Sequence, residues 1–98
     1  MTIEKKINND AVTLIVSGRL DTQTAPELEN VLDDSIAGLK DLTFDMTNLE
    51  YVSSAGLRVI LKAQKVMNTQ GSMKLIGVNE SIMEVFDITG FLDILTIE

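Results

Sequence analysis

The 98-residue chain contains no histidine and no cysteine, and both absences narrow its chemistry. Nucleophilic catalysis by a Ser-His or Cys-His pair needs these side chains, so it is excluded. Disulfide bonds and the usual nitrogen or sulfur sites for transition metals are excluded for the same reason. We therefore expect a folded core without cross-links and a protein that uses no cofactor and no metal.

Phosphate loops and membrane segments are missing as well. The six glycines are dispersed along the chain and form no glycine-rich loop that could cradle a nucleotide. No apolar run approaches the roughly 20 residues that span a bilayer. Residues 1–10 also lack the apolar segment of a secretory signal. The sequence thus predicts a cytoplasmic protein that is a binding or switching module rather than an enzyme.

The charge balance is acidic, with 15 Asp and Glu against eight Lys and Arg and a net charge of −7. The only adjacent basic residues are Lys5 and Lys6, so binding to nucleic acid or to an anionic membrane is not expected. A protein partner with a basic face would suit this surface. A solvated acidic surface that only keeps the protein soluble is the simpler interpretation.

The spacing of apolar residues predicts an α/β fold. Alternation or a continuous apolar run predicts five strands, at residues 3–7, 12–16, 42–46, 73–78 and 94–97. Helical spacing predicts three helices, which begin near Thr24, Ser54 and Asn79. The order β-β-α-β-α-β-α-β implies one domain, residues 1–98, in which a mixed sheet of four to five strands packs with three or more helices.

Two of the predicted helices begin with recognisable signals. Thr24, Pro26 and Glu27 match a capping box with proline in the first turn. Ser53 and Ser54 precede the next helix, and either serine can cap it. Because a helix N-terminus offers unpaired N–H groups and the positive end of the dipole, it also accepts a phosphate. The residues alone leave both interpretations open, a cap or a phosphorylation switch, and they favour the cap.

Four motifs, taken in order, resemble the STAS domain, the family of bacterial anti-sigma factor antagonists. The first two are the turn Gly-Arg-Leu-Asp after the second strand, at residues 18–21, and the third strand Leu-Thr-Phe-Asp, at residues 42–45. The other two are the strand-to-helix junction at residues 48–57 and the segment Phe-Asp-Ile-Thr-Gly-Phe at residues 86–91. The resemblance spans essentially the whole chain and implies a single STAS domain.

The resemblance implies a partner-switching regulator of transcription. In this family the unphosphorylated antagonist binds an anti-sigma factor serine/threonine kinase and so frees a sigma factor. Phosphorylation by that kinase ends binding, and a PP2C-type phosphatase resets the cycle. The free protein would be a monomer. The alternative is a constitutive STAS docking or scaffold subunit of another complex, such as a lipid-transport ATPase or a signalling assembly.

The family pattern also implies which residues act. Its Asp-Ser-Ser/Thr-Gly motif aligns with Ser53, Ser54, Ala55 and Gly56, so Ser54 matches the phosphoacceptor and Ser53 is the second choice. Ser53 stands where many members carry aspartate, which leaves two adjacent hydroxyls. The expected partner surface joins the turn at residues 18–22 to the start of the following helix and comprises Gly18, Asp21, Thr22, Ser53, Gly56, Leu57 and Arg58.

Simpler roles remain open for several of these residues. Asp21 can serve only to order the turn before the first helix, and Gly56 can serve only for close packing against the sheet. Leu57 and Val52 are expected to be half-buried. If the second and third strands are neighbours, both junctions lie at one end of the sheet, because each helix leaves the C-terminal end of its strand.

Overall fold

A computed structural model describes residues 1–98 and contains five strands and three α-helices. The strands are β1 Thr2–Asn8, β2 Ala11–Leu20, β3 Asp41–Asp45, β4 Leu49–Val52 and β5 Ser72–Ile76. The helices are α1 Ala25–Ser35, α2 Ser54–Gln70 and α3 Glu80–Ile88, and a short 3-10 helix follows at Phe91–Asp93. No helix is both long enough and apolar enough to cross a membrane.

The strands form one mixed sheet. β1 pairs antiparallel with β2, while β2, β3 and β5 run parallel to one another in the order β1-β2-β3-β5. β4 pairs in parallel with the last residues of β2, after a bulge between Gly18 and Arg19. This mixed sheet with three helices confirms the predicted α/β class.

The element order differs from the prediction at two places. The expected last strand, residues 94–97, is reduced to a single bridge between Leu75 and Ile97. The backbone N–H groups of Ile94 and Leu95 both donate to the carbonyl of Phe91, which continues the 3-10 turn and leaves too few residues for a strand. β4 was not predicted as a strand, because its two buried residues flank two exposed ones and the period-2 signal is lost.

The buried apolar residues form one cluster on one face of the sheet. The register places Leu14 beside Phe44 and Phe44 beside Leu75, and all three are fully buried. The helices add Leu28, Ile60, Met67, Ile82 and Phe86 to the same cluster. The alternate residues of β2 and β3 stay partly exposed. The fold is therefore two layers, with the helices over one face of the sheet.

The predicted capping box at Thr24 is wrong. Thr24 has a helical backbone conformation, and its side chain makes no hydrogen bond to the N–H groups of α1. The hydroxyl instead accepts from the backbone N–H of Asp21 at 2.8 Å and donates to the carbonyl of Arg19 at 2.7 Å. Thr24 therefore fixes the turn between β2 and α1 rather than capping the helix through its side chain.

Gly56 allows the first turn of α2 to lie directly on the sheet. A Cβ atom at this position would lie 2.6 Å from Cγ of Leu20 and 3.0 Å from Cγ2 of Val52. Both neighbours are buried, so they cannot give way without disturbing the core. The packing interpretation of Gly56 is thus supported by the contacts it makes.

We expect Gly56→Ala to destabilise the protein. Alanine is better than glycine in a helix by about 1 kcal/mol, but overpacking of a filled core costs about 1–3 kcal/mol. The free energy of unfolding, measured by urea denaturation, should therefore fall by up to about 2 kcal/mol. In a Leu20→Ala background, Gly56→Ala should lower the free energy of unfolding by less, because the Leu20 side-chain atoms nearest to the new Cβ are absent. An equal cost in both backgrounds would contradict this contact.

Candidate functional site

Two strand-to-helix junctions meet at one end of the sheet. β2 and β3 are neighbours, as the sequence argument required, and β4 runs parallel to the end of β2. The backbone N–H of Ser53 donates to the carbonyl of Leu20 at 2.8 Å, which ties the two junctions together. The structure thus brings together residues 18–22 and 53–58, which we call the junction site.

The two adjacent serines have different environments. Ser53 is the N-cap of α2, with an extended backbone, and its Oγ accepts from the N–H of Gly56 at 3.4 Å. Ser54 is the first residue of α2 and is exposed. Its hydroxyl forms no hydrogen bond within the protein, and its carbonyl accepts from Nε of Arg58 at 3.4 Å. Ser53 therefore provides the cap, while the hydroxyl of Ser54 is free.

Asp21 orders the turn that precedes α1. Its Oδ1 accepts from the backbone N–H groups of Gln23 and Thr24, both at 3.0 Å, and lies 3.2 Å from the Thr24 hydroxyl, whose proton the nearer Arg19 carbonyl can also accept. The hydrogen bond from the Thr24 N–H is the main reason that the pKa of Asp21 lies below its usual range, and the Arg19 guanidinium, 3.9 Å away, adds to the effect. Asp21 is therefore a structural carboxylate that remains ionised.

Arg19, which lies in the expected turn, and Tyr51 form a pair that the sequence did not predict. They face each other across β2 and β4, and the guanidinium carbon of Arg19 lies 4.2 Å from the centroid of the Tyr51 ring. Such a cation–π contact holds the two side chains against each other. The pair depends on the register between β2 and β4, which the sequence pattern did not reveal.

The remaining predicted residues divide into exposed and buried ones. Thr22 and Arg58 are exposed and line a shallow groove between α1 and α2. Gly56 is buried, and so is Leu57, which is 5% exposed where half-burial was expected. Val52 is 4% exposed, so it too is buried where half-burial was expected. Leu57 and Val52 both belong to the core cluster. They therefore pack beneath the junction site and contribute little to its exposed surface.

Gly18 lies at the entry to the turn with φ of +91°, in the left-handed region that favours glycine. Its backbone N–H donates to the carbonyl of Asn48 at 2.9 Å, just before the bulge in β2. The glycine therefore sets the direction in which the chain enters the turn. No group of acidic side chains in the structure is placed to hold a metal ion.

We expect Asp21→Asn to lower the stability of the protein at neutral pH and to make that stability depend less on pH in the acidic range. A carboxylate whose pKa is depressed by folding stabilises the protein above its unfolded-state pKa, and this contribution is lost as the pH falls through the folded-state pKa. Thermal melts between about pH 7 and pH 3 should therefore converge for wild type and variant at the acid end. The matched control is Asp34→Asn, an exposed carboxylate on α1. An equal pH dependence for all three proteins would contradict the role of Asp21.

Comparison with known proteins places this geometry in a family. The sequence profile of the STAS domain matches residues 2–98. The chain is 34% identical to the anti-sigma-B factor antagonist of Staphylococcus epidermidis over 97 residues, which are 97% of this chain and 90% of that protein.

Solved structures share the fold. An anti-sigma factor antagonist from Mycobacterium paratuberculosis superposes with a TM-score of 0.89 at 20% identity, covering 98% of this chain and 83% of that one. The Bacillus protein SpoIIAA gives 0.78 in its unphosphorylated form, at 13% identity over 99% of this chain and 87% of that one. Its phosphorylated form gives 0.77, at 14% identity over 99% and 91%. Profile, sequence and fold agree, and the chain belongs to the STAS domain family.

Proposed function

We propose that this protein is a cytoplasmic anti-sigma factor antagonist and not an enzyme. Its unphosphorylated form binds an anti-sigma factor serine/threonine kinase at the junction site and thereby releases a sigma factor. Phosphorylation of Ser54 ends the binding, and a PP2C-type phosphatase restores it. The name of the Staphylococcus epidermidis relative supports the antagonist role. The observation that carries the switch is the exposed, unbonded hydroxyl of Ser54 at the first position of α2.

The first turn of α2 suits a residue that must carry a phosphate without unfolding. A phosphoserine adds a charge of about −1.5 to −2 at neutral pH. The free N–H groups and the positive end of the helix dipole stabilise this charge. SpoIIAA supports the argument, because its phosphorylated and unphosphorylated forms resemble this chain almost equally, with TM-scores of 0.77 and 0.78. Phosphorylation therefore acts on binding rather than on the fold.

A phosphate at Ser54 would lie at the exposed start of α2, within the junction site. Thr22 and Arg58 flank the helix start, and Arg19 stacks on Tyr51 across the neighbouring strands. A partner that packs on this surface around the bare serine would have to bury the phosphate. An unpaired buried charge costs several kcal/mol, which is enough to abolish a contact of moderate affinity.

The alternative function, a constitutive docking subunit of a larger assembly, is favoured by one observation. Ser53 stands where the family pattern has aspartate, so a negative charge that could take part in kinase recognition is absent. In this case the same surface would bind a partner in a way that does not depend on phosphorylation. The binding experiment below separates the two functions.

We expect the kinase to phosphorylate Ser54 and not Ser53. The Ser53 Oγ accepts the capping bond from Gly56 and is half-buried, whereas the Ser54 hydroxyl is free and exposed. Mass spectrometry after incubation with ATP and the anti-sigma factor kinase measures the site. Ser54→Ala should remove the label and Ser53→Ala should retain it. Phosphate confined to Ser53 would refute the assignment.

We expect Ser54→Asp to fold normally and to bind the kinase at least about tenfold more weakly, a loss of about 1.4 kcal/mol or more. A carboxylate is favourable at a helix start but not in a buried interface. Ser54→Asn is the matched neutral control and should bind better than Ser54→Asp, while Ser54→Ala should bind and resist inactivation. Calorimetric titration measures affinity, and thermal melts check the fold. Equal affinity for wild type and Ser54→Asp would instead support the constitutive docking subunit.

A further inference from the structure

Arg58 is an arginine beside Ser54 that has no carboxylate partner. The ion pairs of the structure use Arg19, Lys62 and Lys74, and Arg58 takes part in none of them. Its Nε donates a long hydrogen bond of 3.4 Å to the carbonyl of Ser54. The terminal N–H groups of the guanidinium have no other acceptor in the protein. An exposed arginine therefore already lies over the first turn of α2 with most of its donors unused.

The helix geometry brings Arg58 to the side chain of Ser54. Residues four apart on a helix have Cβ atoms about 5–6 Å apart and lie on the same face. Side chains on a helix tilt towards its N-terminus, so the arginine leans over the turn that contains the serine. An anion that precedes a cation by four residues is the more favourable order of such a pair. A phosphate on Ser54 would thus lie within reach of the guanidinium.

The other charged groups around this position are already engaged. Arg19, on β2, lies 3.9 Å from Oδ2 of Asp21 and stacks on Tyr51. Glu29, on α1, lines the same groove as Arg58 and lies 3.8 Å from Nζ of Lys62. Arg58 is therefore the cationic side chain of the junction site that a new anion at Ser54 can bind without breaking an ion pair, while the N-terminal amino group of Met1 lies beside Gly18, at the other part of the site.

We propose that Arg58 is a positioning residue that binds the phosphate of phosphorylated Ser54 and holds it against the first turn of α2. This inference rests on the proposed function. A guanidinium offers two parallel N–H donors to phosphate oxygens, which an ammonium group does not. On phosphorylation Arg58 exchanges the Ser54 carbonyl for the phosphate. The partner surface then loses a free cation at the same moment as it gains a dianion, so one modification changes two of its groups.

The test uses the full chain with phosphoserine installed at position 54 by suppression of an amber codon. The second pKa of the phosphate is followed by ³¹P NMR at low salt. A bound guanidinium favours the dianion and lowers this pKa, so Arg58→Ala should raise it by about 0.15 to 0.4 units, which is the stabilisation expected for an exposed ion pair on a helix converted at about 1.36 kcal/mol per pKa unit. Arg58→Lys should restore part of the difference. Lys65→Ala, three turns from Ser54, is the matched control, because Lys65 is exposed and takes part in no ion pair; it should leave the pKa unchanged.

Each outcome separates this inference from the proposed function. A pKa that changes by less than about 0.1 in Arg58→Ala, or that changes equally in Arg58→Ala and Lys65→Ala, would overturn the role of Arg58. That result would leave the Ser54 switch intact if the kinase still labels Ser54. Conversely, a kinase that labels another residue would contradict the switch, while the titration of the installed phosphoserine would still report the ion pair.

Discussion

The close approach of α2 to the end of β2 is the contact on which the junction site depends. It needs a residue without a side chain at position 56, because Leu20 and Val52 occupy the space that a Cβ atom would take. The hydrogen bond from the Ser53 N–H to the Leu20 carbonyl then fixes the start of the helix against the strand. The exposed Ser54 is thus held in place by the buried side chains beneath it and by this backbone hydrogen bond. A change in the core below the serines would move the site even though its surface residues are unaltered.

The two serines show how a family motif can change without loss of its structural part. Aspartate and serine are both strong N-cap residues, because each side-chain oxygen accepts from the first free N–H groups of the helix. Ser53 therefore keeps the cap that aspartate would provide, through its bond to the Gly56 N–H. What the substitution removes is a negative charge next to Ser54. In the proposed switch, a phosphate on Ser54 would then meet no carboxylate at position 53, and Arg58 would be the arginine that binds it.

The sequence predicted best where one physical signal dominated. β2, β3 and β5 bury alternate residues on a single face, so their period-2 pattern is clear, while β4 breaks that pattern and was missed together with the Arg19–Tyr51 pair. The capping box failed because Asp21 and Thr24 use their side chains to close the turn, a competition that spacing does not reveal. The meeting of the two junctions was predicted from the rule that helices leave the C-terminal ends of parallel strands, but the rule was applied to β3. The strand before α2 is β4, and its pairing with the end of β2 brings the junctions together. The burial of Leu57 could not be predicted, since it depends on how closely α2 approaches the sheet.

The local charge of the junction site differs in sign from the charge of the whole protein. The chain carries a net charge of −7, yet residues 18–22 and 53–58 contain two arginines and one aspartate. At physiological ionic strength charges further away than about 8 Å are largely screened, so a docked partner responds mainly to this local set. The global acidity acts earlier, through the steering of a partner with a basic face. A phosphate on Ser54 reverses the local sign and leaves the global sign unchanged. In the proposed switch, the phosphate would therefore act at the step where the two surfaces meet.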